Sequence, residues 1–298
     1  MTEDNSQTRI GFIGVGMMGS GICAQLLKRG YPLTVVAHRN REFVDKLVGD
    51  GAVEASSQAD LAAKVDVVMI CVNSADVVSA VVSEIGDALR PGMLVIDVTT
   101  SLPEVSRRLA MDLGARGIGF VDAPVVGGPA QAATGQLGTL AGGADPDVAR
   151  AQPILKCYSV DYEHFGPAGS GNIAKLLNNF LTVGLRQLVV HAFRAARRND
   201  IDIQKLYNLA SKGAASSRTL DQFVQGAIAN DYLRNQFSIA NCRKDMDYVG
   251  HLLADDPDGS AIQQTMLVAY QRLVDAGMGD RMASEMLDPE VEAAVTKA

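Results

Sequence analysis

Cysteine is scarce in this sequence and is not spaced for chemistry. Four occur in 298 residues (Cys23, Cys71, Cys157 and Cys242), with no CxxC pair among them. That pattern excludes a disulfide framework or a zinc ribbon and fits a reducing, cytoplasmic setting. Cys23 and Cys71 lie in apolar runs and read as small core residues. Histidine is as sparse. His38, His164, His191 and His251 show no metal-ligand spacing and no HExxH, so no metal site is expected. A GxSxG nucleophile elbow is missing too. Positive charge is in deficit: 27 Lys and Arg against 34 Asp and Glu give −7. Nucleic acids and anionic membranes need a basic face, so neither is expected as a partner. No apolar run reaches the roughly 20 residues of a membrane span. The longest, LTVGLRQLVVHAF at 181–193, is interrupted by Arg186 and His191. The polar start MTEDNSQTR lacks an apolar h-region and reads as a frayed tail rather than a signal peptide.

Hydrophobic residues make up 47% of the chain, enough for one large core or two modest ones. In the first half, short β-rich runs (RIGFIGV, LTVVAH, VDVVMICV, MLVIDVT and IGFVDAP) alternate with helical patterns such as GSGICAQLLKRG. Strands alternating with helices predict parallel βαβ units, and runs apolar on both faces predict a buried sheet. After about residue 165 the strand-like runs stop. A long helical pattern follows from 169, with further helices near 202–212, 217–229, 238–255 and 260–277. The expected architecture is α/β: a doubly wound parallel sheet over residues 1–165, then an all-α domain over 166–298.

The segment GFIGVGMMGSG places Gly14, Gly16 and Gly19 in G-x-G-x-x-G, directly after a strand and opening a helix. Gly14 permits the tight turn and Gly16 lets backbone approach a pyrophosphate. Gly19 lets helix and strand pack closely. In that context the motif predicts dinucleotide binding on a Rossmann domain. NAD binders usually end the second strand with an acid that takes the ribose 2′-hydroxyl. Here the strand runs into His38, Arg39, Asn40 and Arg41. A guanidinium can grip a 2′-phosphate that a carboxylate would repel, so NADP(H) is the preferred cofactor, with NAD(H) left open.

Two other stretches carry information. VDAPVVGGPAQAATG, residues 121–135, is too broken by proline and glycine to read as a helix or a good strand. GPAGSGNIAKLLNN, residues 166–179, leads three glycines into a helix bearing Lys175, with Asn178 and Asn179 at i+3 and i+4. All three can share one face, and a cation with two amides on an otherwise apolar helix suggests a polar pocket. The positive end of the helix disfavours a second positive charge, which eases proton loss from the lysine. A snorkelling surface lysine has the same spacing.

With these segments in order, the sequence resembles the β-hydroxyacid dehydrogenases, the family of 3-hydroxyisobutyrate dehydrogenase, tartronate semialdehyde reductase and the glyoxylate/succinic semialdehyde reductases. More distantly it resembles 6-phosphogluconate dehydrogenase. The likeness rests on GFIGVGMMGSG, DVTTSLP, DAPVVGGPAQAATGQL, GPAGSGNIAKLLNN and CRKDMDY, and covers nearly the whole chain. It implies an NAD(P)-dependent oxidoreductase of small 3-hydroxy or semialdehyde acids. Lys175 takes the place of the family's general acid/base and Asn179 that of the asparagine orienting substrate. Gly127 and Gly128 match the backbone that holds the substrate carboxylate. Gly14, Gly16, Met17, Met18 and Gly19, then Val72, Asn73 and Thr100, match cofactor contacts, and Lys244 a lysine near the cofactor. The family's long helix implies a homodimer or homotetramer, and the apolar breadth of 176–193 fits that role. One position departs: relatives read D-A-P-V-S-G-G where this chain has Val126. An imine reductase on the same scaffold and a non-catalytic cofactor-binding module are the alternatives. The presence of Lys175 speaks against the first, and retention of Lys175 and Asn179 against the second.

Overall fold

Six strands form the parallel part of the sheet in the computed structural model, which describes residues 5–38 and 41–296. They are β1 (Ile10–Ile13), β2 (Leu33–Val36), β3 (Val53–Ala55), β4 (Val67–Ile70), β5 (Leu94–Asp97) and β6 (Gly119–Asp122), in the order β3-β2-β1-β4-β5-β6. Every residue of β1, β4 and β5 is buried, as strands covered on both faces must be. The crossovers are α1 (Met17–Lys28), α2 (Glu42–Gly49), α3 (Gln58–Lys64), α4 (Ala75–Glu84) and α5 (Pro103–Gly114). Strand order reverses between β1 and β4, which is where a doubly wound sheet opens its ligand crevice. Ile10, Phe12, Val35, Met69, Ile96 and Val121 from the strands pack with Ile22 and Leu26 of α1 in one core.

The sheet continues past β6 in a way the sequence did not announce. β7 (Val125–Val126), α6 (Pro129–Thr134), β8 (Leu137–Gly143), α7 (Asp145–Leu155) and β9 (Ser159–His164) follow. β8 runs antiparallel to β6 and β7, and β9 runs parallel to β8. The proline- and glycine-rich run at 121–135 therefore does hold regular structure. Val125 and Val126 pair with Thr139 and Gly138, Pro129 occupies the first turn of α6 and Gly135 ends it at φ 70°. Gly142 of β8 marks close approach rather than a weak strand: a Cβ there would lie 2.6 Å from the Gly171 nitrogen.

Helices make up the rest: α8 (Ser170–Arg198), α9 (Ile203–Ala210), α10 (Arg218–Leu220), α11 (Gly226–Ala229), α12 (Ile239–Leu252), α13 (Pro257–Asp275) and α14 (Pro289–Thr296). A π turn over Asp221–Gln225 joins α10 to α11. The break expected between the helices at 238–255 and 260–277 is present but falls a little earlier, at 253–256, and α13 starts with Pro257 in its first turn and Asp256 accepting from the Gly259 N–H. The result is a Rossmann-type sheet followed by a helical region. Two compact units divide it, one ending at Lys175 and one beginning at Leu176. Among the described residues, no helix is long and apolar enough to cross a membrane.

Candidate active site

The three motif glycines are required for three different reasons. Gly14 has φ 102°, and a Cβ there would lie 2.0 Å from the Cys71 carbonyl oxygen. Gly19 would press a Cβ to 2.3 Å from the Gly14 carbonyl oxygen. Gly16 has nothing within 4 Å of its Cβ position, and it caps α1 in an extended conformation with no side-chain bond. A helix N-terminus with bare backbone and open space beside it suits a phosphate group. Met17, just inside the helix, is exposed and Met18 is half-buried. The loop therefore fits a dinucleotide pyrophosphate.

The neighbouring strand ends are tied to this loop. Val72 follows β4, and its N–H donates to Thr99 Oγ1 at 3.0 Å. The Thr99 N–H donates to Asp97 Oδ1 at 2.9 Å, and both side chains are buried. Val72, exposed Asn73 and half-buried Thr100 thus sit on backbone shaped by Asp97 and Thr99, two residues that the motif reading passed over. His38 is exposed just past β2. Arg39 and Asn40 lie outside the described residues. Arg41 is committed elsewhere, bonded to Glu54 at 3.0 Å through both carboxylate oxygens and to Asp45 at 2.9 Å.

Helix α6, which follows Val126, Gly127 and Gly128, lies against α1. A Cβ on Gly21 of α1 would meet the Ala133 nitrogen at 2.7 Å, so α1 and α6 touch through backbone, and Gln25 Nε2 donates to the Ala133 carbonyl at 2.6 Å. Gly127 adopts φ 123°, and any Cβ there would also strike Leu137. The Gly128 N–H donates to Gln131 Oε1 at 3.0 Å, and Val126 is half-buried.

Asp122 ends β6 as the register partner of Asp97. It is fully buried and accepts from Gly169 N–H at 2.7 Å and Asn172 N–H at 2.8 Å, so it anchors the start of α8. Burial pushes its carboxyl up to about 6, against the opposing pull of those amides. A raised folded-state value means that folding stability is greatest below about pH 4 and falls as pH rises through 6. By linkage this one group contributes a loss of about 3 kcal/mol across that window. Asp122→Asn should remove that slope. Urea midpoints of both proteins at pH 4.5 and 7 check it; equal slopes would contradict it.

Lys175 lies in the second turn of α8 and is only 7% exposed. In the helical unit, Asn179 is buried and its Nδ2 donates to Asp245 Oδ2 at 2.6 Å. Lys244 Nζ pairs with Asp245 Oδ1 at 2.8 Å and lies 4.8 Å from the Tyr248 ring centre. Buried Asp245 therefore joins Asn179 to Lys244, a role that the adjacent residues of CRKDMDY could have suggested. Half-buried Asn178 reaches Asn179 Oδ1 at 3.4 Å. Cys71, Cys23 and Cys242 offer no reactive alternative, since burial pushes Cys71 up to about 12 and raises the other two as well. Among the described residues, no group of three or more His, Cys, Asp or Glu could hold a metal ion.

Residues 9–166 match the family model for the NAD binding domain of 6-phosphogluconate dehydrogenase. Residues 169–289 match that for the NAD-binding region of NADP-dependent 3-hydroxyisobutyrate dehydrogenase. The chain belongs to the β-hydroxyacid dehydrogenase family. It is an oxidoreductase, a dehydrogenase using a nicotinamide cofactor. It is 35% identical to a probable 3-hydroxyisobutyrate dehydrogenase-like mitochondrial protein of Arabidopsis thaliana, over 79% of this chain and 74% of that one. It is 30% identical to an uncharacterized oxidoreductase of Shewanella frigidimarina, over 78% of this chain and 84% of that one. In fold it is similar to the Mycobacterium tuberculosis 3-hydroxyisobutyrate dehydrogenase solved with L-serine. The TM-score is 0.84 at 24% identity, covering 94% and 98% of the two chains.

Proposed function

We propose that this dehydrogenase moves a hydride between NADP(H) and a small 3-hydroxy acid or semialdehyde acid, with Lys175 as general acid/base. The observation that carries the reading is Lys175 itself, nine-tenths buried on a helix whose first turn is anchored by Asp122. Burying an ammonium group is costly, and a reaction that needs a proton at a fixed place is a reason to keep one there. The bound cofactor supplies or accepts the hydride. In the reducing direction Lys175 Nζ gives a proton to the substrate oxygen, and in the oxidising direction it takes one. Asn179, its amide oriented by Asp245, holds the substrate. Gly14, Gly16, Met17, Met18 and Gly19 with Val72, Asn73, Thr100 and Lys244 serve the cofactor. His38, Arg39 and Asn40 serve its adenosine end. Because Arg41 is held by two carboxylates, the preference for a 2′-phosphate rests on Arg39. Residues 1–165 form the cofactor domain and 166–298 the substrate and assembly domain. A reducing compartment such as the cytoplasm suits the four free cysteines. Turnover of a panel of hydroxy acids and semialdehyde acids with both cofactors tests the reading. Equal rates on aldehydes that lack a carboxylate would overturn it.

Val126, Gly127 and Gly128 form the carboxylate end of the site in this proposal. Gln131 Oε1 already occupies the Gly128 N–H, so an incoming carboxylate must displace it. Gln131→Ala should lower KM for carboxylate substrates about three- to tenfold, the size of one neutral hydrogen bond. Val126→Ser adds a hydroxyl that can support the same oxygen, and kcat/KM should rise most for the most polar acids. Both effects are read from kcat and KM across the panel. An unchanged rank order in both variants would remove the loop from substrate selection.

Assembly into a homodimer or homotetramer follows from α8 in the same reading. Leu177, Leu181, Leu185 and Leu188 recur on one face and stay exposed, Leu181 and Leu188 at 69% each. The double variant Leu181→Glu, Leu188→Glu should be monomeric by light scattering where the wild type is oligomeric.

A further inference from the structure

Asn172 is fully buried, three residues before Lys175 on α8, and ties that helix to three other segments. Its N–H donates to Asp122 Oδ2 at 2.8 Å, at the end of β6. Its Oδ1 accepts from the Ser101 N–H at 2.8 Å, in the loop between β5 and α5. Its Nδ2 donates to Ser106 Oγ at 3.1 Å, on α5. Around this junction the backbone is packed so closely that side chains are excluded. A Cβ on Gly171 would lie 2.4 Å from the Leu140 carbonyl oxygen, and one on Gly169 would lie 2.9 Å from the Pro103 carbonyl oxygen. The first turn of α8 therefore cannot slide or rotate without breaking buried hydrogen bonds, each costly to leave unmade. Ser101 directly follows Thr100, the assigned cofactor contact. One side-chain amide thus lies a single residue from the cofactor loop and a single helical turn from the proton donor.

We propose that Asn172 is a positioning residue for hydride transfer, holding the β5–α5 loop and the Lys175 helix in one register. The proposal rests on the reading of Lys175 as the general acid/base. Asn172 touches no reacting atom. It acts by fixing where Lys175 Nζ stands relative to Thr100, and misplacement of about 1 Å at a reacting group costs on the order of a hundredfold in rate. A residue that only stabilised the fold would change the melting temperature and leave the chemistry of the folded protein as it was.

The test uses the full chain with Asn172→Ala and the milder Ser106→Ala, which removes only the Nδ2 partner. NADPH affinity, read by fluorescence titration, should stay within about threefold in both. The kcat should fall on the order of a hundredfold in Asn172→Ala and about three- to tenfold in Ser106→Ala. In cofactor-free protein, hydrogen exchange should quicken at amides 169–175. Added to Lys175→Ala, Asn172→Ala should cost less than about threefold further, because both act through one group. A kcat within about twofold of wild type with only a lower melting temperature would overturn the proposal, as would fully multiplicative losses in the double variant. If Asn172→Ala does not fold, Ser106→Ala decides by the same readouts. Failure of the lysine reading is separately visible, as wild-type turnover in Lys175→Ala alone.

Discussion

Lys175→Ala is expected to lower kcat by about 10²- to 10⁴-fold, the range contributed by a positioned general acid or base. The protein should still fold. Alanine is the best helix former, α8 has 29 residues, and the anchoring bonds at Asp122 and Asn172 lie before the substituted position. NADPH affinity should change little, because the cofactor loop and the ends of β4 and β5 are held by Gly14, Thr99 and Asp97. The limb of the pH–kcat profile that reports the proton donor should vanish. Added primary amines of small size should restore part of the rate. Steady-state kinetics across pH, with and without amine, check each of these points.

Gly16→Ala and Gly14→Ala should fail in opposite ways. At Gly16 a methyl group meets no atom of the protein within 4 Å, so stability should change by about 0.5 kcal/mol or less. The methyl would project where a pyrophosphate must approach the start of α1, and NADPH affinity should fall at least about tenfold. At Gly14 the same methyl must enter a left-handed backbone conformation at φ 102° and lie 2.0 Å from the Cys71 carbonyl oxygen. The conformational cost alone is about 1–2 kcal/mol, and the clash adds to it, so Gly14→Ala should lower the melting temperature sharply. Calorimetry and cofactor titration on the two variants separate a binding glycine from a folding glycine. Loss of stability in Gly16→Ala with normal NADPH affinity would contradict the assignment.

Apart from β3, a three-residue Val-Glu-Ala edge strand that forms no apolar run, the parallel half of the sheet was legible because its strands are apolar runs punctuated by glycine, signals that lie within each segment. β8 and β9 were not. LGTLAGG carries three glycines, and Gly142 is explained only by the Asp122 carboxylate and the amides of Ser170 and Gly171 closing on it from distant parts of the chain. The site shows the same divide. Gly14, Gly16 and Gly19 are local chemistry, and so is a lysine with amides at helical spacing. Asp122 stands 47 residues before the Gly169 amide it accepts from, and the Asn172 side chain reaches back 71 residues to Ser101. Helix caps can be read from sequence only when the capping residue is a near neighbour. Gln131 was hidden for a subtler reason. Its bond to Gly128 spans three residues, but it matters only because that amide is the one assigned to substrate.

The most direct single measurement follows deuterium from the nicotinamide ring of C4-labelled NADPH during reduction of a small semialdehyde acid. The account predicts label on the carbinol carbon of the hydroxy acid product, transfer at least about a hundredfold slower in Lys175→Ala, and preference for the acid over a cyclic imine. Unlabelled product, unchanged transfer without the lysine, or faster reduction of the imine would contradict it.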